Sequence, residues 1–409
     1  MADETPLRAK ISLPVDFRID EVKQIVGAAP TPTPPLGVLE NFTGEFAGTG
    51  FNTVFRPNGA PPTTTTFANP IPPPPILTPP NENVLELNLT TETLSFSASL
   101  GSVPNRGLGM PLAVNGNAQE DIFLNGVPYV QAISDVTNPA TGKGDGKAQG
   151  IHFEPGIWLN VPATKHVPAL ANSLVRMASI PHGTTINAQG PAPTTVINGP
   201  PNIPSVNITP FVIGSNPPEL ITFASQTAAN KDTPRIPQDL TKFIASGAIN
   251  QAILTDPNTV LRNAIAGQTI TKTIVFTVST TPSPPEFGGG TANIAFLEGN
   301  AAGTSANASS VRMNATFWVE TVEHLIHIPV FKPGEGPLRI PAKPGTQGPV
   351  FTGTPPREIP APITIKVTST QIQYSQVVFL NFAGLTWPHV SVATLTPAGD
   401  VPIPVSAWP

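Results

Sequence analysis

The chain has 409 residues, room for one large domain or two ordinary ones, with no cysteine and a formal net charge of −5. The lack of cysteine excludes a disulfide framework, cysteine-ligated zinc, iron–sulfur clusters and cysteine nucleophiles. Only 11% of residues are charged and neither sign forms a run, so nucleic acid and anionic membrane are not expected partners.

The opening Met1-Ala2-Asp3-Glu4 lacks a basic region followed by an apolar one, and no stretch is long and apolar enough to cross a bilayer. The expectation is a soluble, cytoplasmic protein. Proline is the unusual number, at 53 residues. Because proline breaks the hydrogen bonds of helices and central strands, much of the chain must be loops, edges and turns. Apolar residues, 39% of the total, gather in strand-like runs, which favours an ordered fold with long proline-rich excursions over disorder.

Residues 1–40 read as an N-terminal arm, with a short strand or helical turn at 10–22 and a proline-rich linker at 28–36. Residues 41–409 read as a single domain with an insertion at about 190–315. The first predicted strand spans 42–57. Its glycines at 44, 48 and 50 recur on one face, a sign of tight curvature or close backbone approach. Residues 58–82 form a proline and threonine loop containing the run Pro72–Pro75. Residues 83–97 read as a hairpin turning at 90–93. Residues 122–130 read as a second hairpin, because Asn125-Gly126 supplies the positive φ angles of a two-residue turn. A glycine and lysine loop follows at 138–149, then strands at 151–162, 173–180 and 184–188.

After a proline-rich stretch at 190–219 the period becomes helical. Ile236, Leu240, Phe243 and Ile244 share one face, with Gly247 as a stop. A second helix opens at Asp256-Pro257, runs to Ala266 and ends at Gly267. These helices are expected near 236–266, as a lid across a barrel mouth. Strands resume at 270–278 and 316–322. Residues 331–361 read as another proline loop, and the chain closes with strands at 363–368, 372–382 and 390–395. No fixed-period repeat occurs. Many short strands between turn signals give the fold class: mainly β, a closed antiparallel barrel with proline-rich loops and a small helical insertion.

Four segments, in order, carry a family resemblance. Gly44-Glu45-Phe46-Ala47-Gly48-Thr49-Gly50 is similar to an opening G-x-W-x-G-x-G, with Phe46 in the tryptophan place. His152-Phe153-Glu154-Pro155-Gly156 resembles an H-x-E-x-G strand start. Met177 to Gly183 is similar to the next strand and its proline–glycine turn. Gln373-Tyr374 through Trp387-Pro388-His389 looks like a closing hairpin that delivers a histidine to haem iron. Together they resemble nitrobindin and its relatives, lipocalin-like barrels of the fatty-acid-binding-protein type that carry haem. The resemblance covers about half of the chain at most. The loops at 58–82, 190–315 and 331–361 have no counterpart in it, and the family's ending after the histidine is not reproduced.

The resemblance implies haem b in the barrel mouth, with iron held by His389. The further cofactor contacts expected are Phe51, Arg56, Tyr374 and Trp387. A histidine nitrogen is a common axial ligand of haem iron. His152 is the expected catalytic residue, an acid or base on bound peroxide, and it shares a strand face with Glu154. The implied activity is peroxidase-type oxidation, or the handling of nitric oxide or peroxynitrite. The plainer readings are a turn histidine at 389 and a solvent-facing pair at 152 and 154. Tyr129, Trp158 and Tyr374 read as barrel core. Arg56 and Arg176 each read better as outward; an inward one would pair with a propionate or a fatty-acid carboxylate. His324 and His327 have a helical metal spacing but nothing completes a zinc site, so they read as an exposed loop. His166 and His182 read as turn residues. No nucleophile elbow, phosphate loop or dinucleotide fingerprint occurs.

Three functions stay open. The first is the haem barrel, with peroxide or nitric oxide as its partner. The second is a haem-free carrier of a small hydrophobic molecule such as a fatty acid. The third is a structural or interaction protein whose proline-rich loops dock on aromatic grooves.

Overall fold

A computed structural model describes residues 33–57, 83–107, 119–165, 168–193, 196–298, 307–343 and 348–409. The expected element at 10–22, the loop at 58–82 and His166 lie outside the described residues. Ten strands form the wall: β1 (Gly44–Pro57), β2 (Asn83–Phe96), β3 (Ile122–Asp135), β4 (Gln149–Val161), β5 (Ser173–Ile180), β6 (Thr184–Pro191), β7 (Thr269–Ser279), β8 (Ser309–Ile328), β9 (Ile363–Phe382) and β10 (Leu385–Pro397). Their order around the wall is β2-β1-β10-β9-β8-β7-β6-β5-β4-β3. Strand β3 pairs back onto β2, from Thr90↔Asp135 to Phe96↔Tyr129, and closes an antiparallel barrel. The weakest seam is β6–β7, joined at Ser279↔Gln189. Above and below it, the short segments Gly290–Asn293 and Val196–Ile197 pair with β6 and β7 respectively.

Alternation along the strands separates two apolar cores. On β1, Phe46 faces the barrel interior while Phe51 and Phe55 face outward. The glycines of β1 answer to close approach: a side chain at Gly48 would meet the Thr394 carbonyl of β10 at 1.9 Å. The interior core is aromatic at its lower end. The 3-10 turn Gly37–Asn41 inserts Val38 and Leu39 there, and Phe42 stacks on Phe96 at 4.7 Å and meets Trp158 edge-on at 5.8 Å. The last residues of the expected N-terminal arm are therefore the plug of the barrel.

The helices α1 (Thr241–Ser246), α2 (Gln251–Thr255) and α3 (Thr259–Ala264) do not form a lid. Phe243, Ile253, Leu254 and Leu261 pack on the outward side chains of β1, β2 and β10, among them Phe51, Leu85, Val390 and Val392. An apolar outer wall needs such a cover. The cover is tied by Arg235, which is fully buried and donates to the carbonyls of Ser225, Thr227, Ala228, Asn230, Pro237 and Gln238. Asp256 does not cap a helix running to Ala266. It ends α2, accepts from the backbone of Val206 and Asn258, and pairs with Arg262 at 2.5 Å.

Other boundaries also differ from the sequence reading. Both expected hairpins, at 83–97 and 122–130, are single strands. The Asn125-Gly126 pair is spent on close packing rather than a turn. Asn125 accepts from Gly101 and Gly126 and donates to Pro34, while a side chain at Gly126 would meet the Trp158 carbonyl at 2.2 Å. The two-residue turn lies instead at Ala383-Gly384 between β9 and β10, with φ of 49° and 78°. Within 190–315, β7 and the start of β8 belong to the wall. Within 331–361, Leu338–Pro341 and Val350–Gly353 join Asp400–Pro402 in a three-stranded side sheet. Strands β8 and β9 run on past the barrel to cover it, and Ile326, Ile328, Ile365 and Val367 share a third core with Phe351 and Trp408. His324 and His327 are on strand β8, not a loop, and contact Ser369 and Thr364 at 2.9 Å each. Among the described residues, no helix is long and apolar enough to cross a membrane.

Candidate functional site

Above the aromatic plug the interior turns polar. Arg176 on β5 points inward, against the sequence expectation, and is 3% exposed. Its Nη2 donates to Glu154 Oε1 at 2.7 Å, its Nε to the Tyr129 hydroxyl at 2.8 Å and its Nη1 to Gln376 Oε1 at 2.6 Å. The guanidinium also lies over the rings of Tyr129, Trp158 and Phe317, with 5.6–5.8 Å between its carbon and their centroids. Tyr129 in turn donates to Glu154 Oε1. A second carboxylate, Glu92 on β2, accepts from Tyr374 at 2.7 Å and from Gln131 at 2.6 Å. Gln131 also accepts from Arg176 at 3.3 Å, which joins the two halves into one layer.

The two acids differ in charge because their neighbours differ. Burial would raise the pKa of Glu154, but Arg176, His152 and Tyr129 outweigh it and bring it down to about 2. Burial dominates at Glu92, against the hydrogen bonds of Tyr374 and Gln131, and pushes its pKa up to about 7. The layer leaves a void of about 10 Å³ between Arg176, Gln131, Tyr129 and Tyr374, the space of a single water.

Above this layer lie three histidines. His152, on β4, has Nε2 at 3.2 Å from Glu154 Oε2. Because Glu154 is ionised and can only accept, the shared hydrogen belongs to Nε2 of His152. His182, in the turn between β5 and β6, has its ring centroid 5.5 Å from that of His152. Burial, then the charge of His152, lowers the pKa of His182, and the backbone of Ile151 opposes them. His389, on β10, takes a hydrogen bond at 2.7 Å from the amide nitrogen of Asn52, which also donates to Ser391 at 2.7 Å. An amide nitrogen can only donate, so Nε2 of His389 is the unprotonated nitrogen. Burial, then His182 and His152, pushes the His389 pKa down to about 3.

Of the residues singled out from sequence, the fold brings His152 and His389 to one end of the interior and sets Tyr374 in the layer below. It places Phe51 and Trp387 in the outer core instead, where Trp387 stacks on Phe382 at 4.5 Å and donates to its carbonyl. Arg56 pairs with Glu86 at 3.2 Å. Those three do not share a pocket with His389. An open groove of about 690 Å³ runs over the outside of β4, β5 and β6, and no charged side chain lines it.

The described residues do not fit a haem. The Nε2 lone pair of His389 is committed to Asn52. The polar layer below His389 holds a void of about 10 Å³, whereas sites for molecules of such size run to roughly 300–1,000 Å³. That layer likewise has no room for a fatty acid.

No family model, no curated protein and no solved structure matches the chain. The closed antiparallel barrel is the architecture that the resemblance to nitrobindin implies.

Sequence reasoning missed Glu92, read Arg176 as outward, and placed His182 in a turn without giving it a role. The signal for Arg176 was its position: it sits two residues from each of Leu174 and Ala178, which are both interior. Its partner Glu154 was visible, but only the register Trp158↔Arg176 brings the two together.

Proposed function

We propose that this protein binds a small polar molecule at the histidine-bearing end of a filled barrel, and that His152 exchanges a proton with it. The observation that carries this reading is the His152–Glu154 contact at 3.2 Å, backed by Arg176. Glu154 takes the Nε2 hydrogen of His152, so exchange is at Nδ1, and the imidazolium form lies beside a carboxylate that Arg176 keeps ionised. His152 is partly exposed, at 13%, and His182 is exposed, so a molecule reaches them without entering the packed interior. The small void of the polar layer argues for a small polar partner over haem or a lipid.

The test is nuclear magnetic resonance of the histidine rings in chelator-treated protein, titrated with small amides, aldehydes and carboxylic acids. Saturable shifts at His152 and His182 that vanish in a folded His152→Asn variant are expected. Rings that no compound in the set moves would overturn the reading.

A further inference from the structure

We infer that His152 and His182 together seat one divalent transition-metal ion. The ladder between β4 and β5 ends at Gly156↔Ala178. Extended by inward-facing positions, it sets Glu154 opposite Ile180 and then His152 opposite His182. The strands part at Pro155, which has no N–H to donate, and the turn after Ile180 carries His182 back over His152.

The distance suits a shared ion. With a metal–nitrogen bond of about 2.0–2.1 Å, an imidazole centroid lies about 3.2 Å from the ion, and two such rings at a tetrahedral angle are about 5.2 Å apart. The observed separation is 5.5 Å. The outer partners fit as well. A metal-bound histidine gives its other N–H to a carboxylate or a backbone carbonyl. Here His152 gives its Nε2 hydrogen to Glu154, and the backbone of Ile151 lies near enough to the His182 ring to favour its protonated form. Metal binding would use the other nitrogen of His152, Nδ1.

Among the described residues, no group of three or more histidine, aspartate or glutamate side chains is arranged to hold an ion. Solvent or a bound small molecule would therefore fill the remaining positions, the arrangement of an open site. Two neutral imidazoles favour Cu²⁺, with Zn²⁺ and Ni²⁺ weaker. The inference rests on the reading of this end as the functional site but not on proton transfer there, because ion and proton compete for the same His152 lone pair.

The experiment titrates CuCl₂ and ZnCl₂ into the chelator-stripped, dialysed full chain by calorimetry, with electron paramagnetic resonance of the Cu²⁺ form. One equivalent of Cu²⁺ with a two-nitrogen hyperfine pattern is expected. His152→Asn and His182→Gln should each weaken binding by at least ~10-fold, while His327→Gln, at a distant strand, should leave it unchanged. His182 lies in an exposed turn, so its variant keeps the test informative if His152→Asn fails to fold. No binding tighter than millimolar, or binding indifferent to both site variants, would overturn the inference. If ring shifts with organic probes persist in that case, the reading of the site as a small-molecule binder survives without the metal.

Discussion

Arg176 meets Glu154 at 2.7 Å in the middle of the barrel, and both side chains are buried. A buried pair of this kind contributes little beyond what apolar residues would, but breaking it strands a charge. Arg176→Met should destabilise the fold by about 3–5 kcal/mol. The double variant Arg176→Met with Glu154→Gln should recover a large part of that loss. Urea unfolding of the three proteins checks both statements, and a double variant no better than the single would contradict them.

Glu92 and His389 couple stability to pH in opposite senses. Glu92 is raised from 4.5 to about 7, so the folded state holds its proton more tightly. Its stabilising contribution is complete below pH 4.5 and is lost as pH rises to 7, about 3 kcal/mol in all. His389 is lowered from 6.5 to about 3, so the unfolded state takes the proton first. Its contribution is complete above pH 6.5 and is lost as pH falls towards 3, by about 5 kcal/mol. Between pH 4.5 and 6.5 the two slopes oppose each other. Glu92→Gln should make stability rise more steeply with pH in that window, and His389→Asn should make it fall. Denaturant midpoints at half-unit pH steps give the answer; parallel profiles for all three proteins would refute it.

Gly48 and Gly150 are both strand glycines with different surroundings. A side chain at Gly48 would meet the Thr394 carbonyl at 1.9 Å, while nothing lies within 4 Å of one at Gly150. Gly48→Ala should force β1 from β10 and cost at least ~1–3 kcal/mol. Gly150→Ala should shift the melting temperature little. Thermal unfolding by circular dichroism compares them directly, and equal effects would argue against the close approach.

Arg235 donates to backbone carbonyls on several sides of the outer cover and has no carboxylate partner among the bonds it makes. Lysine offers fewer donors and no planar fork. Arg235→Lys should loosen the segment around α1–α3 while the barrel persists, seen as faster protease cleavage within 203–265. Cleavage at the parent rate would show that the carbonyls find other partners.

The fold was more legible than the site. Alternation in segments such as 173–180 and 184–188 marks strands reliably, since a half-buried strand must alternate. It cannot tell where a strand ends when both faces are buried. Residues 83–97 therefore read as a hairpin although Leu85 and Leu87 face the cover while Leu94 and Phe96 face the interior. The lid failed for a related reason: helical periodicity shows that α1–α3 have an apolar face, not which surface receives it. His152 was singled out through its motif, together with the Glu154 that it contacts. The partnership of His152 with His182 was not, because it depends on a register set by the whole β4–β5 ladder. Phe51 and Trp387 were placed by proximity to motif residues, and a one-residue offset along a strand puts a side chain on the opposite wall.

Strands β8 and β9 pair without a gap from Ser309↔Asn381, shifting once between Ser310 and Arg312, to Ile328↔Ile363. The barrel core and the side core thus hang on one ribbon, with Ala315 and Phe317 serving the first and Ile326 and Ile328 the second. No hinge separates them, and no cut along the ribbon frees either half without severing a strand that both need. The two cores are architecturally distinct yet share one ladder, so pairing lost at either core is lost from strands that the other also uses.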